Sequence, residues 1–222
     1  MLVRSLIASF LIVFPTAVRA QSGGTAHLYA YTIKDRVAFE RGYRAHLRWH
    51  ARHADKLAWF AWYVTNGERA GAFVDGTFGT TPEGLAGRPD PEGDGADFRA
   101  NVGANVSAIG DEGWELWREA SKATPLEQRR PGAFVHVYVL ETDDRTAFEA
   151  AVAGRSIAGA TWYRAAENDG KARYLLMVPA RSANAPVPLS GVLGDIGIRG
   201  IRAETWRYAP RLALMPGKPL AR

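Results

Sequence analysis

The chain has 222 residues and a formal net charge of +5, with 28 Lys and Arg against 23 Asp and Glu and no cysteine. The missing cysteines exclude disulfides, thiolate catalysis and cysteine-ligated metal sites. The mild charge, with no Lys/Arg cluster beyond Arg129-Arg130, argues against a nucleic-acid partner.

Residues 1–20 read as a secretory signal peptide: Arg4 supplies the charged start, Ser5–Phe14 the apolar run, and Val18-Arg19-Ala20 a small-residue cleavage site before Gln21. An uncleaved anchor is the alternative, opposed by an apolar run short of the ~18 residues a spanning helix needs. Cleavage removes Arg4 and Arg19, leaving 26 basic and 23 acidic residues in a periplasmic or secreted chain with no further membrane insertion. No cysteine stands near the site, which excludes a lipoprotein.

In chain order, a strand is expected at His27–Ile33 and a helix at about Arg36–Ala54. Leu57–Phe78 follows as an aromatic β-hairpin, turning at Asn66-Gly67, where a type I′ turn needs positive φ at both central residues. Pro82–Gly95 reads as an exposed loop, Ala96–Ile109 as a helix and Trp114–Ala120 as a strand. The second half reads as strand Phe134–Glu141, helix Arg145–Ala153, hairpin Ala160–Val178 turning at Asp169-Gly170, a short helix at Leu189–Leu193 and strand Ile201–Ala209. The proline-punctuated tail, 211–222, is expected to be irregular.

The halves echo each other. Leu28-Tyr29-Ala30-Tyr31 matches Val135-His136-Val137-Tyr138, Val37-Ala38-Phe39-Glu40 matches Thr146-Ala147-Phe148-Glu149, Trp62-Tyr63 matches Trp162-Tyr163, and Glu115-Leu116-Trp117-Arg118 matches Glu204-Thr205-Trp206-Arg207. The offset is 107 for the first strands, 100 for the hairpins and 89 for the last strands. Each half is therefore a ferredoxin-like βαββαβ unit: residues 26–123, a linker at 124–132, and residues 133–210. The expected fold class is α+β, a tandem duplication forming one pseudo-dimeric barrel, with pairing within one chain or across two left open.

On these motifs the chain resembles the dimeric α+β barrel superfamily, which includes NIPSNAP-like proteins, antibiotic-biosynthesis monooxygenases and chlorite-dismutase-like haem proteins. The resemblance implies a site inside the barrel and admits haem, without assigning one family or activity.

Strand alternation offers candidates. Leu28, Ala30, Val135, Val137 and Val139 suit packing under helices, which turns His27, Tyr29, Tyr31, Phe134, His136 and Tyr138 into the barrel. With Trp62, Trp117, Trp162 and Trp206, the residues Tyr29, Tyr31, His136 and Tyr138 form a candidate lining for a small aromatic or amphipathic ligand. A lumen simply filled by these side chains, leaving an envelope interaction protein, is the bland alternative. Asp75 and His136 are catalytic candidates in an oxygenase-like enzyme, cofactor-free or haem-dependent. Asp75 could equally be a carboxylate at a bulge beside Gly76. Glu115 and Glu204 could act as paired carboxylates, against the plainer reading of a salt bridge to a neighbouring arginine.

His46, His50 and His53 span about 60° of one helix face, a spacing that can share a metal or ligate haem iron. The nearby Arg44, Arg48 and Arg52 would oppose a divalent cation. No cofactor follows firmly. A homo-oligomer stays open, and no phosphate loop, G-x-S-x-G elbow or HExxH occurs.

Overall fold

A computed structural model describes residues 24–122, 126, 131–155, 157–165, 171–186, 193 and 198–221. Eight strands close into one barrel: β1 (Thr25–Ile33), β2 (Trp59–Asn66), β3 (Phe73–Thr80), β4 (Val106–Leu116), β5 (Phe134–Thr142), β6 (Thr161–Ala165), β7 (Ala172–Ala180) and β8 (Arg199–Tyr208). Helix α1 (Arg36–Arg52) follows β1, α2 (Pro82–Ala86) and α3 (Pro91–Asn101) follow β3, and α4 (Arg145–Ala153) follows β5. The order β1-β3-β2-β8-β5-β7-β6-β4 splits into two ferredoxin-like sheets, β4-β1-β3-β2 and β8-β5-β7-β6. They join at β2–β8 and β4–β6, all pairs antiparallel, so the repeats pair within one chain. Equivalent caps start the two repeat helices. Asp35 accepts from the Ala38 N–H (3.0 Å) and Asp144 from the Ala147 N–H (2.9 Å), each satisfying a free helix-start donor. Among the described residues no helix is long and apolar enough to cross a membrane.

The face assignment expected from alternation is inverted. Ala26, Leu28, Ala30, Val137 and Val139 fill the barrel lumen with Trp62, Val74, Trp206 and residues of every other strand. Tyr29 and Tyr31 lie instead on the outer face, in the layer under α1 with Phe39, Tyr43 and Phe73. Tyr138 lies in the equivalent layer under α4 with Phe148, Trp162 and Tyr174. The first strands carry small aliphatics because the lumen of an eight-stranded barrel is narrow, so bulk is spread among few positions.

The Trp-Tyr match also slips by one residue. Trp62 points into the lumen and Trp162 under α4. A one-residue offset reverses the face of every side chain in a strand. The last-strand match is displaced too: Leu28 lies opposite Glu112, whereas its counterpart Val135 lies opposite Trp206. Trp117 falls beyond β4, against Trp162.

The first hairpin is wider than a two-residue turn. Asn66 continues β2 against Thr205 of β8, and the chain returns only at Phe73. Gly67 is still required, at φ 108° and with a Cβ position 2.6 Å from the Ala203 carbonyl oxygen. The loop expected at 82–95 contains α2 and the start of α3, and residues 106–109, expected helical, open β4. The Asp169-Gly170 turn, most of the 124–132 linker and most of the 189–193 helix lie outside the described residues. The tail forms a short 3-10 turn at Pro210–Leu212 and one bridge, Leu214 to Trp59.

Gly42 fixes how α1 meets α3. A Cβ there would lie 1.9 Å from the Asn101 carbonyl oxygen at the end of α3, a clash only backbone movement relieves. We expect Gly42→Ala to destabilise the fold by ~1–3 kcal/mol in chemical denaturation, the usual cost of overpacking. It should also pry α3 from the α1 histidines described next.

Candidate metal centre

Three side chains converge between α1 and α3. His46 and His50 project one turn apart from the buried face of α1, and Asp94 comes from the first turn of α3. The Nε2 atoms of His46 and His50 lie 3.1 Å apart, and Asp94 Oδ1 lies 3.4 Å from the first and 3.3 Å from the second. A tetrahedral ion with N and O ligands at ~2.0–2.1 Å separates its donors by about 3.4 Å, so the triangle has the size of three ligands on one ion.

The outer nitrogens fix the tautomers. His46 Nδ1 is 2.9 Å from Asp97 Oδ2, and His50 Nδ1 is 2.8 Å from Asp55 Oδ2. An ionised carboxylate only accepts, so both Nδ1 atoms carry the proton and a neutral imidazole then turns a lone pair inward at Nε2. Two nitrogen lone pairs and a carboxylate oxygen facing one point repel each other until a cation sits among them. Carboxylates behind ligating histidines are the usual support of such a centre. Asp55 is itself held by the Trp59 indole N–H and the Leu57 N–H, both at 2.9 Å. Burial pushes its carboxyl up, but the His50, Leu57 and Trp59 bonds outweigh that and hold it low. Burial also lowers the His46 pKa, against the opposing pull of Asp97, which keeps the ring ready to ligate at neutral pH.

A cavity of ≈230 Å³ opens beside the triangle, walled by Tyr29, Tyr31, Trp59, Phe98 and Asp75. Asp75 stands on the outer face of β3, where the Tyr43 hydroxyl donates to one carboxylate oxygen while the other, Oδ1, has no partner. Burial pushes Asp75 up to about 7, partly offset by the Tyr43 bond. Burial likewise raises Tyr29 to about 12. Arg88 closes another wall, its Nε donating to Asp94 Oδ2 and its Nη1 to the Leu85 carbonyl, both at 2.9 Å.

The residues singled out by sequence divide among separate places. Tyr29, Tyr31, Asp75, His46 and His50 come together here. His53 does not: it caps α1 with its ring stacked on Trp49 at 3.9 Å, and Nδ1 donates to the Trp49 carbonyl. Arg44, Arg48 and Arg52 line an outer surface, about 120–160° around α1 from His46, on a different side of the helix from the triangle. Trp62 and Trp206 pack together in the lumen with ring centres 5.7 Å apart. Trp117, Tyr138 and Trp162 pack under α4. His136 sits on the outer face of β5 with Nδ1 2.9 Å from Thr205 Oγ1. The eight ligand candidates thus do not line one pocket.

Glu115 and Glu204 do not face one another. Glu115 is exposed, whereas Glu204 is fully buried in the barrel, where Arg69 grips it with two 2.8 Å bonds and the Trp206 indole donates at 2.7 Å. That is the salt-bridge reading. A cavity of ≈200 Å³ lies in the lumen beside Arg69, Arg202 and Glu112. Sequence reasoning missed Asp94, Asp97 and Asp55. The signal for the first two was Asp90-Pro91, an N-cap followed by proline at the first helical position, which starts α3 and sets Asp94 and Asp97 one turn apart.

In overall structure the chain is similar to a protein provisionally named a chlorite dismutase (TM-score 0.54, 10% identity, 83% of this chain and 94% of that one). It is also similar to a variant of chlorite dismutase from Candidatus Nitrospira defluvii (TM-score 0.50, 13% identity, 86% and 92%). An anthrone oxidase-like protein aligns with a TM-score of 0.49 at 10% identity over 90% and 97% of the two chains. The fold is therefore the eight-stranded α+β barrel of these chlorite dismutase structures, with both ferredoxin-like units in one chain. No family model matches the sequence, and no curated protein does.

Proposed function

We propose that this protein is a metal-dependent enzyme whose ion is held by His46, His50 and Asp94 and which acts on a small molecule by activating a bound water. The observation that carries this reading is the convergence of three lone-pair donors, 3.1–3.4 Å apart, each backed by its own partner. Two imidazoles and one carboxylate leave coordination positions open, the pattern of a catalytic site. A zinc ion there would lower the pKa of its water toward neutrality. Asp75, on the wall of the same cavity with one oxygen unpartnered, is placed to take the proton as general base.

Haem is the group that likeness to chlorite dismutases raises for this chain. The described residues as arranged do not fit it. The ≈230 Å³ cavity beside His46 and His50 is too small to enclose a porphyrin. The larger cleft between α2 and the paired strands β1 and β4 has one histidine, His27, whose Nε2 lies 3.2 Å from Asp111.

We further propose that the chain is exported and cleaved before Gln21. Protein recovered from the periplasm of an expressing cell tests both readings at once. Its intact mass should begin at Gln21, and elemental analysis after dialysis should give one equivalent of zinc. Iron in its place would shift the chemistry toward oxygen, because two histidines and one carboxylate also suit iron(II). No metal retained even after loading would end the metal reading, and an intact residue 1–20 segment would end the export reading.

A further inference from the structure

A second cavity contains none of the proposed metal ligands. It is a cleft of ≈760 Å³ between α2 and the paired strands β1 and β4, lined by outer-face His27 and Asp111 and by lumen-face Ala26 and Trp114. Pro82, Leu85 and Ala86 of α2 form one wall, and Ala26 and Trp114 part of the other. Its volume falls within the ~300–1,000 Å³ of small-molecule pockets, and a mixture of apolar walls with a few polar groups is how such pockets are lined.

One polar group in it lacks a partner. Trp114 is 2% exposed, and its indole Nε1 has no acceptor. Buried donors are nearly always matched, because leaving one unpaired forfeits the bond it made with water. Three other polar wall groups are engaged: Arg88 with Asp94, His27 with Asp111, and Glu112 with Arg202. The unmatched donor and the room beside it point to the same place.

We infer that this cleft is a second binding site, for an organic molecule with an apolar body and an oxygen acceptor that takes the Trp114 indole N–H. Arg88 lines both this cleft and the metal cavity, so the bound molecule lies next to the metal centre, yet the site is built without any metal ligand. The two assignments therefore stand or fall separately.

The test uses the dye 8-anilinonaphthalene-1-sulfonate, an aromatic body carrying acceptor oxygens, titrated into the folded protein with fluorescence readout and stoichiometry from calorimetry. One saturable site per chain is expected. Ala86 is exposed on α2, so Ala86→Trp fills the cleft without entering the core. It should weaken dye binding at least tenfold while leaving the metal content unchanged. Trp114→Phe, which removes the donor and keeps a ring, should weaken binding about three- to tenfold, the value of one hydrogen bond. Unchanged dye affinity and stoichiometry in Ala86→Trp would overturn the inference, as would a wild-type protein that binds no dye. Loss of dye binding in Ala86→Trp with no metal in any variant would support the cleft and reject the metal centre.

Discussion

Replacing His50 with glutamine will strip the metal from the protein and leave it folded. His50 Nε2 is one corner of the ligand triangle, so its loss leaves two donors where three converged. Loss of a supporting outer-shell partner typically costs 10–100-fold in metal affinity; loss of a direct ligand should exceed that, at least about 100-fold. The glutamine amide can still donate to Asp55, and the Trp59 and Leu57 donors to that carboxylate remain. The buried charge is therefore not orphaned, a fault that would confuse a folding defect with a binding one. At a metal concentration of ~100 times its Kd, wild type gains about 2.7 kcal/mol, or about 5–10 °C in Tm for a chain of this size. The variant should show no such shift. His53→Gln, outside the triangle, should bind metal as wild type does. A His50→Gln protein that keeps one equivalent of metal and the full thermal shift would refute the assignment.

Much of the architecture was readable because its signals are local. The helix expected at Arg145–Ala153 has those bounds, and the strand expected at Phe134–Glu141 runs one residue further. The duplication was legible through Phe39-Glu40 and Phe148-Glu149, and the structure supplies a reason for the glutamates: Glu40 accepts from the Tyr63 hydroxyl (2.7 Å) and Glu149 from the Tyr174 hydroxyl (2.9 Å). Each ties its helix to the sheet beneath. What failed was the choice of face. Alternation separates the two faces of a strand but does not say which is inside, and a closed barrel under helices is apolar on both. Tyr29 and Tyr31 were grouped correctly with each other and placed on the wrong side.

The site was half legible for the same kind of reason. His46 and His50 are four residues apart on one helix, a spacing that sequence displays. Their third ligand lies 44 residues beyond His50, in a Gly- and Pro-rich stretch whose composition masks a helix. Proline at its first position and an aspartate cap offset the weak propensity of Gly93 and Gly95. The arginines at 44, 48 and 52 suggested a hostile field only because three-dimensional distance was read from sequence distance. Around a helix, two residues of separation is nearly the far side.

Asp75→Asn should stabilise the metal-free protein at pH 8 and impair its chemistry. Burial lifts the Asp75 carboxyl to about 7 from an ordinary 3.8, so the folded state favours its protonated form. Below about pH 4 both states are protonated and the group confers no pH dependence. As pH rises toward 7 the unfolded chain releases its proton first, and folding stability falls until the folded group also ionises. The loss approaches about 4 kcal/mol, three units at ~1.4 kcal/mol each, and levels off above pH 7. Asparagine cannot ionise, and its side-chain oxygen still accepts from Tyr43. The variant should therefore match wild type at low pH and exceed it by a few kcal/mol at pH 8, read from urea denaturation in EDTA. With metal bound, the added positive charge favours the Asp75 carboxylate and should flatten the wild-type slope. Equal pH profiles for the two proteins in EDTA would show that Asp75 is an ordinary buried polar residue and would remove it from the proposed chemistry.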